Sequence, residues 1–201
     1  MISLTPSELT KKPILLLVGR SNTGKSSLCR ILAPWEKKRI KVGKKPGVTQ
    51  KNLRIETLDY TIIDMPGFGY METVSHKQEI KVQEEIILFI QERHDEVFLA
   101  LEVINLPEFR RIHEKYKDIS VPFDNEMLGF LLEFNIPTVI IANKIDKLKK
   151  NMLQEELDYL VSAMEIESSF VYPVSTRKKI GISDVKNVIN QALEDYGKNV
   201  T

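Results

Sequence analysis

An apolar run, Ile14–Val18, stops abruptly at Gly19-Arg20-Ser21-Asn22-Thr23-Gly24-Lys25-Ser26, and no other stretch limits the folding of this chain as much. The octet has the spacing G-x-x-x-x-G-K-S, which functions only between a strand and a helix. Both neighbours can be read in the sequence. Ile14–Val18 has strand length without alternation, and Ser26–Leu32 continues as the start of a helix. A strand apolar at every position is buried on both faces, as in a parallel sheet covered by helices. Glycine allows backbone angles that turn several N–H groups toward one anion, and the helix N-terminus adds partial positive charge. Lys25 would supply a point charge to terminal phosphates, and the Ser26 hydroxyl a ligand for Mg2+. Residues Gly19 through Ser26, with Ser27 behind them, are the expected phosphate contacts. A random chain of this length matches the four fixed positions roughly once in a hundred, before the flanking context is required.

Phosphate loops serve adenine and guanine nucleotides alike, so the base must be read elsewhere. A second unalternating run, Thr138–Ala142, leads directly into Asn143-Lys144-Ile145-Asp146. That places the tetrad at the carboxyl end of a strand, the edge where ligands bind in open α/β sheets. The Asp146 carboxylate can accept from both guanine N1–H and the 2-amino group. Adenine has neither donor there, and the acceptor would be left unpaired. Asn143 can tie the site together, and the stem of Lys144 can cover the base face. By itself such a tetrad is an ordinary solvated turn; its position after a strand and downstream of a phosphate loop gives it meaning. Val174-Ser175-Thr176, after the short strand Phe170–Pro173, would offer backbone donors to guanine O6.

Two further segments complete the set. Asp64-Met65-Pro66-Gly67 follows the strand Tyr60–Ile63: the carboxylate would hold a magnesium water, and the Gly67 N–H would reach a γ-phosphate. Gly47-Val48-Thr49-Gln50-Lys51, preceded by Pro46, lies between the first helix and that strand. Thr49 can give magnesium a second hydroxyl only when a γ-phosphate is present, which would make the loop a switch. The expected metal ligands are thus Ser26, Thr49 and Asp64.

The remaining pattern gives the fold class. Leu53–Leu58 and Tyr60–Ile63 flank only Asp59 and suggest an antiparallel hairpin; Val97–Ile104 and Phe170–Pro173 read as strands. Helical spacing marks Glu79–Glu92, Asn125–Phe134, Leu153–Met164 and Ser183–Tyr196, the last with Ser183 as N-cap. Pro107–Pro122 is longer and more charged than a usual connection and is expected to hold a short extra helix. The expectation is α/β: a six-stranded, mostly parallel sheet with one antiparallel strand and about five flanking helices, a P-loop NTPase of the Ras-like kind. The 201 residues show no linker or repeat and fit one domain, with motifs spanning about 14–188.

Composition narrows the setting. A net charge of +1 gives no global attraction to nucleic acid or membrane. The single cysteine, Cys29, rules out an internal disulfide framework and fits a reducing, cytoplasmic setting, where it would pack as a small apolar residue. No apolar run is long enough to span a bilayer. His76, His94 and His113 lack metal-ligand spacing. Trp35 is expected to pack at the end of the first helix. Local charge is less even: Lys37, Lys38, Arg39, Lys41, Lys44 and Lys45 crowd the switch approach, Lys147, Lys149 and Lys150 follow the base reader, and Arg177, Lys178 and Lys179 follow Ser175. Such loops suit RNA phosphates or simply offset the nucleotide's charge; both readings stand.

Taken in order, GRSNTGKSSL, KKPGVTQ, DMPGFGY, NKIDKL and VST followed by Gly181-Ile182 resemble the successive motifs of the EngB (YihA) family of GTPases. The likeness spans nearly the whole chain and is most specific at Arg20-Ser21-Asn22, Pro-Gly-x-Thr-Gln and Gly-Phe-Gly-Tyr. Many bacterial members have Thr where this chain has Asn143, and Pro107–Pro122 is long for a bacterial member, which points to an archaeal-type branch. The resemblance implies GTP-dependent action, with hydrolysis to GDP and phosphate, in large ribosomal subunit assembly, with a need in cell division and septation; the protein is expected to be a monomer. The expected catalytic set is Lys25, Thr49, Gly67 and Asn22. Phe68 stands where Ras-like enzymes carry a water-positioning glutamine, so intrinsic hydrolysis should be slow and aided by a partner or a cation. Asn22 leaves two readings open, a contact to K+ or a plain cap of the loop. A guanine-nucleotide sensor with negligible turnover is the alternative function; an ATPase or kinase is disfavoured by Asp146.

Overall fold

The computed structural model describes residues 12–36, 38, 40, 53–67, 76–118 and 121–200, with side chains omitted at 76–79 and 199–200. Among these residues six strands form one sheet: β1 (Ile14–Val18), β2 (Leu53–Glu56), β3 (Thr61–Asp64), β4 (Val97–Asn105), β5 (Thr138–Asn143) and β6 (Val171–Val174). Their order is β2-β3-β1-β4-β5-β6, and among the described strands only the β2–β3 pair is antiparallel. Among the described residues six α-helices accompany them: α1 (Lys25–Leu32), α2 (His76–Arg93), α3 (Leu106–Tyr116), α4 (Phe123–Glu133), α5 (Lys150–Met164) and α6 (Ile182–Val200).

The central strands are apolar at consecutive positions because helices cover both faces. Leu15 and Leu17 of β1 pack with Leu28, Cys29 and Leu32 of α1 and with Val185 and Ile189 of α6. Ile14, Leu16 and Val18 point the other way, into Ile86 and Ile90 of α2 and Leu131 of α4. A third cluster joins Ile140 and Ala142 of β5 to Phe109 of α3 and Leu160 and Met164 of α5. Burying a Leu or Ile contributes about 1.5–3 kcal/mol, so these two-faced strands set the sheet order and its register. Cys29 is fully buried among them, as expected of a small apolar residue.

Three expectations need correction. The hairpin turn spans Thr57–Tyr60 rather than Asp59 alone, closed by the Thr57 N–H donating to the Tyr60 carbonyl at 2.9 Å. Ser183 is not an N-cap: α6 begins one residue earlier, at Ile182, after Gly181 takes φ +71°. The extra helix expected in Pro107–Pro122 is present as α3, three turns long, starting directly at the end of β4 and packed on α5. Trp35 is 61% exposed in a short 3-10 turn at Pro34–Glu36 instead of packing against α1. His94 lies edge-on to Phe134, and His113 lies between Phe109 and Tyr159, so both are packed against aromatic rings.

Candidate functional site

The site lies at the carboxyl ends of β1, β3, β5 and β6. After Val18 the chain turns through Gly19 at φ +133°, Asn22 at φ +64° and Gly24 at φ +107°, then enters α1. A Cβ at residue 19 would sit 2.4 Å from the Val103 carbonyl oxygen of β4, so only glycine lets the loop lie against that strand. Asparagine tolerates the left-handed region better than most residues, which gives Asn22 a backbone reason beside its side-chain chemistry. The Thr23 hydroxyl donates to the Arg20 carbonyl at 3.0 Å and closes the turn.

Lys25 is buried at the start of α1. Its Nζ donates to the Gly19 carbonyl at 2.7 Å and to that of Arg20 at 2.9 Å, so the ammonium lies under the loop it serves. Burial lowers its pKa to about 8, against the opposing pull of Asp64 and Asp124. The Ser26 hydroxyl donates to Asp64 Oδ2 at 2.7 Å. Asp64, the last residue of β3, is fully buried, and its Oδ1 has no protein partner. Burial raises its proton affinity, partly countered by Lys25 and by the Ser26 bond. Met65 follows, buried, with its N–H donating to the Leu17 carbonyl at 3.0 Å, and Pro66 carries the chain to Gly67. A Cβ on Gly67 would stand 2.6 Å from Ser21 Cα, so this segment and the phosphate loop touch backbone to backbone.

Asn143 ends β5 with its side chain fully buried between two other loops. Its Nδ2 donates to the Thr23 carbonyl at 2.8 Å and, at 3.4 Å, to Thr176 Oγ1; its Oδ1 accepts from the Thr176 N–H at 3.1 Å. Lys144, at φ +68°, sends its Nζ to the Asn22 carbonyl. Burial lowers the Lys144 pKa, with Lys147 adding to the effect. Ile145 packs partly on the α3–α5 cluster. Asp146 Oδ1 accepts from the Ser175 hydroxyl at 2.6 Å, and that hydroxyl in turn accepts from the Lys178 N–H at 3.0 Å. One carboxylate is thereby held from below, and its other oxygen is available for donors on a base edge.

The sequence-selected residues of the phosphate loop, Asp64–Gly67, Asn143–Asp146 and Val174–Thr176 thus converge. One expectation is altered: the Ser175 N–H donates to the Ile180 carbonyl at 3.1 Å and the Thr176 N–H to Asn143, so neither amide is unengaged. A base carbonyl there would share the Thr176 N–H with Asn143. Gly47, Val48, Thr49, Gln50 and Lys51, and also Phe68, lie outside the described residues. Sequence reasoning passed over Thr23 as a partner of Asn143. It also passed over two buried acids, Glu102 and Asp124; the signal for the first was a carboxylate inside the otherwise apolar run of β4. Among the described residues no group of three or more His, Cys, Asp or Glu could hold a metal on its own.

Known proteins resemble this chain in sequence and in fold. Residues 14–144 match the family described as 50S ribosome-binding GTPase. The chain is 33% identical to "Probable GTP-binding protein EngB" of Methanococcus aeolicus over 96% of this chain and 87% of that one. It is 35% identical to the protein of the same name in Pyrococcus abyssi, over 90% and 86% respectively. A solved structure described as a probable GTP-binding protein engB superposes with a TM-score of 0.80 at 33% identity, covering 90% of this chain and 99% of that chain. The G domain of FeoB from Methanococcus jannaschii, at 21% identity and a TM-score of 0.55, shares the fold. Both the sequence and the architecture therefore place this chain in the EngB family of GTP-binding proteins.

Proposed function

We propose that the chain binds GTP and GDP as one GTP-binding domain, through residues 19–27, 64–67, 143–146 and 174–176, and hydrolyses GTP slowly on its own. One observation carries the reading: Asn143 joins the phosphate loop to both base-side loops, so a single nucleotide of fixed length fits across them. Asp146, oriented by Ser175, is the guanine reader, and Lys25 is the phosphate counter-charge. The test is titration of the full chain with GDP and ADP. A GDP preference of at least 100-fold is expected, and equal affinities would end the guanine reading.

The donor set suits magnesium. Ser26 offers a hydroxyl beside a buried carboxylate whose Oδ1 has no protein partner, the arrangement that holds a hydrated divalent cation. Ser26 would bind it directly, Asp64 through water, and Thr49 only in the GTP state. A magnesium ion held there would supply positive charge against the phosphates of the nucleotide. Slow turnover follows from Phe68, which cannot orient water by hydrogen bonding. Help from K+ at Asn22 is part of the proposal, and hydrolysis in K+ against Na+ buffer, with and without Asn22→Ala, decides it. Negligible turnover in both buffers and with ribosomal subunits would favour the nucleotide-sensor alternative.

The proposed setting is cytoplasmic assembly of the large ribosomal subunit, supporting division and septation, by a monomer. Lys147, Lys149, Arg177, Lys178 and Lys179 are exposed beside the base-reading loops, where RNA phosphates could meet them. No described helix is long and apolar enough to cross a membrane. Sedimentation with ribosomal subunits should show binding that depends on a GTP analogue and weakens steeply with salt. Equal binding in the GDP state would remove the switch from this picture.

A further inference from the structure

Away from the nucleotide edge, exposed apolar surface gathers on α2. Ile80, Ile87 and Leu88 are 42%, 41% and 55% exposed. Beside them a groove of about 160 Å³ runs between α2 and α4, lined by Gln83, Ile86 and Ile87 on one side and by Glu126, Met127 and Phe130 on the other. Ile86 is buried in the core behind the groove, and Met127 and Phe130 are half-buried against that core. Trp35, Leu58 and Phe170 are exposed too, but each stands on a separate turn, and single apolar side chains of that kind are ordinary surface.

A helix on a finished surface turns polar residues outward. Ile80 and Ile87 break that rule on one stripe of α2, seven positions apart. They lie about 10 Å apart along the axis, two turns, which is the spacing of the i and i+7 anchors of a helix seated on them. The rim beside this stripe is acidic. Glu126 lines the groove, Glu133 repeats its position on α4 two turns later, and Glu84, one turn after Ile80, stands exposed on α2. Cations are kept off it: α4 contains no Lys or Arg, Lys81 falls on the far side of α2 from Gln83, and Arg93 is paired with Glu96. Nucleic acid or an anionic lipid surface would bring like charge to Glu84, Glu126 and Glu133. A protein helix with one apolar face flanked by lysine or arginine matches both the groove and its rim.

We infer that the α2–α4 groove is a docking site for a basic amphipathic helix of a protein partner, its apolar face on Ile80, Ile87 and Met127 and its cations on Glu84, Glu126 and Glu133. This face has the opposite character to the basic loops beside the base reader, so the two select partners of opposite charge although the net charge of the chain is only +1. The inference goes beyond the nucleotide reading and does not depend on it.

The probe is a fluorescein-labelled 15-residue peptide of leucine and lysine, with leucine at i, i+3, i+4 and i+7, titrated with the full chain and read by anisotropy. Its controls are a scrambled peptide of the same composition and a twin with glutamate in place of lysine. The wild type should bind the first peptide at least about ten-fold more tightly than either control. Ile87→Ser should weaken that binding about ten-fold, and Glu126→Lys about three-fold or more with a shallower salt dependence. Both side chains are exposed, and far-UV circular dichroism checks that each variant keeps its fold. No binding, equal affinity for the three peptides, or binding unmoved by both substitutions would overturn the inference. So would a wild-type dimer that Ile87→Ser abolishes, which gives the groove to a second copy. Peptide binding seen only after removal of residues 1–11 would give it to this chain's own N-terminus, and retention on phosphatidylglycerol vesicles lost in Ile87→Ser would give it to a lipid surface; either result also overturns the inference.

Discussion

Lys25→Met should separate what the phosphate loop does for the nucleotide from what it costs the empty protein. Burial moves Lys25 from 10.5 to about 8, and each pKa unit corresponds to about 1.36 kcal/mol. Keeping this lysine charged in the empty fold at pH 7 therefore costs about 3 kcal/mol. The sign is fixed by linkage. Between pH 8 and 10.5 the unfolded chain binds the extra proton, so wild-type stability rises with pH through that window and the full penalty is present below it. Methionine removes the charge but leaves the Gly19 and Arg20 carbonyls without their donor, at about 1 kcal/mol each. The empty variant should thus be more stable than wild type by about 1 kcal/mol at pH 7 and less stable by about 1 kcal/mol at pH 9.5, where wild type has regained about 2. Urea unfolding without nucleotide at both pH values measures this, and added Mg-GDP should stabilise only the wild type. A variant clearly weaker at pH 7, or a gap that does not change between the two pH values, would refute the reasoning.

Gly19→Ala must both strain a φ of +133° and clear a carbonyl at 2.4 Å; a loss of about 2–4 kcal/mol in urea unfolding is expected, together with weakened GDP binding. Asn143→Ala strips partners from the Thr23 carbonyl and the Thr176 N–H and opens a small cavity, so thermal and chemical unfolding should show a loss of about 3 kcal/mol or more even without nucleotide. Asp146→Ala touches only a half-exposed loop and keeps the Ser175–Lys178 bond. Its stability should change by less than about 1 kcal/mol, while the ratio of GDP to ADP affinity should fall about 30-fold or more.

Much of this architecture could be read from the chain because its strongest signals are local. β1, the octet and α1 form one continuous strand–loop–helix, and β5 leads into its tetrad without an intervening residue. Two-faced burial left unbroken apolar runs, so the parallel sheet was visible before its order was. What was not legible depends on partners remote in sequence. Glu102 looks like one charge in a strand until α4 brings Asp124 near it. Nothing near Thr23 says that its carbonyl will meet a side chain 120 positions later. Ser183 suited an N-cap by residue type, but Gly181 in the left-handed region starts α6 sooner. Trp35 shows the reverse case: aromatic bulk predicted packing, and the short turn at Pro34–Glu36 leaves the ring exposed.

The bond from Asn143 to Thr23 also sets a timetable. A chain lengthening at about 5–20 residues per second leaves the phosphate loop without its buried anchor for roughly 6 to 24 s after Thr23 is made. During that interval β1 and α1 can form, but the loop between them has no fixed floor, and Thr176 arrives later still. Nucleotide capture is therefore reserved for a nearly complete chain, and an aborted fragment ending before β5 has no means of sequestering GTP.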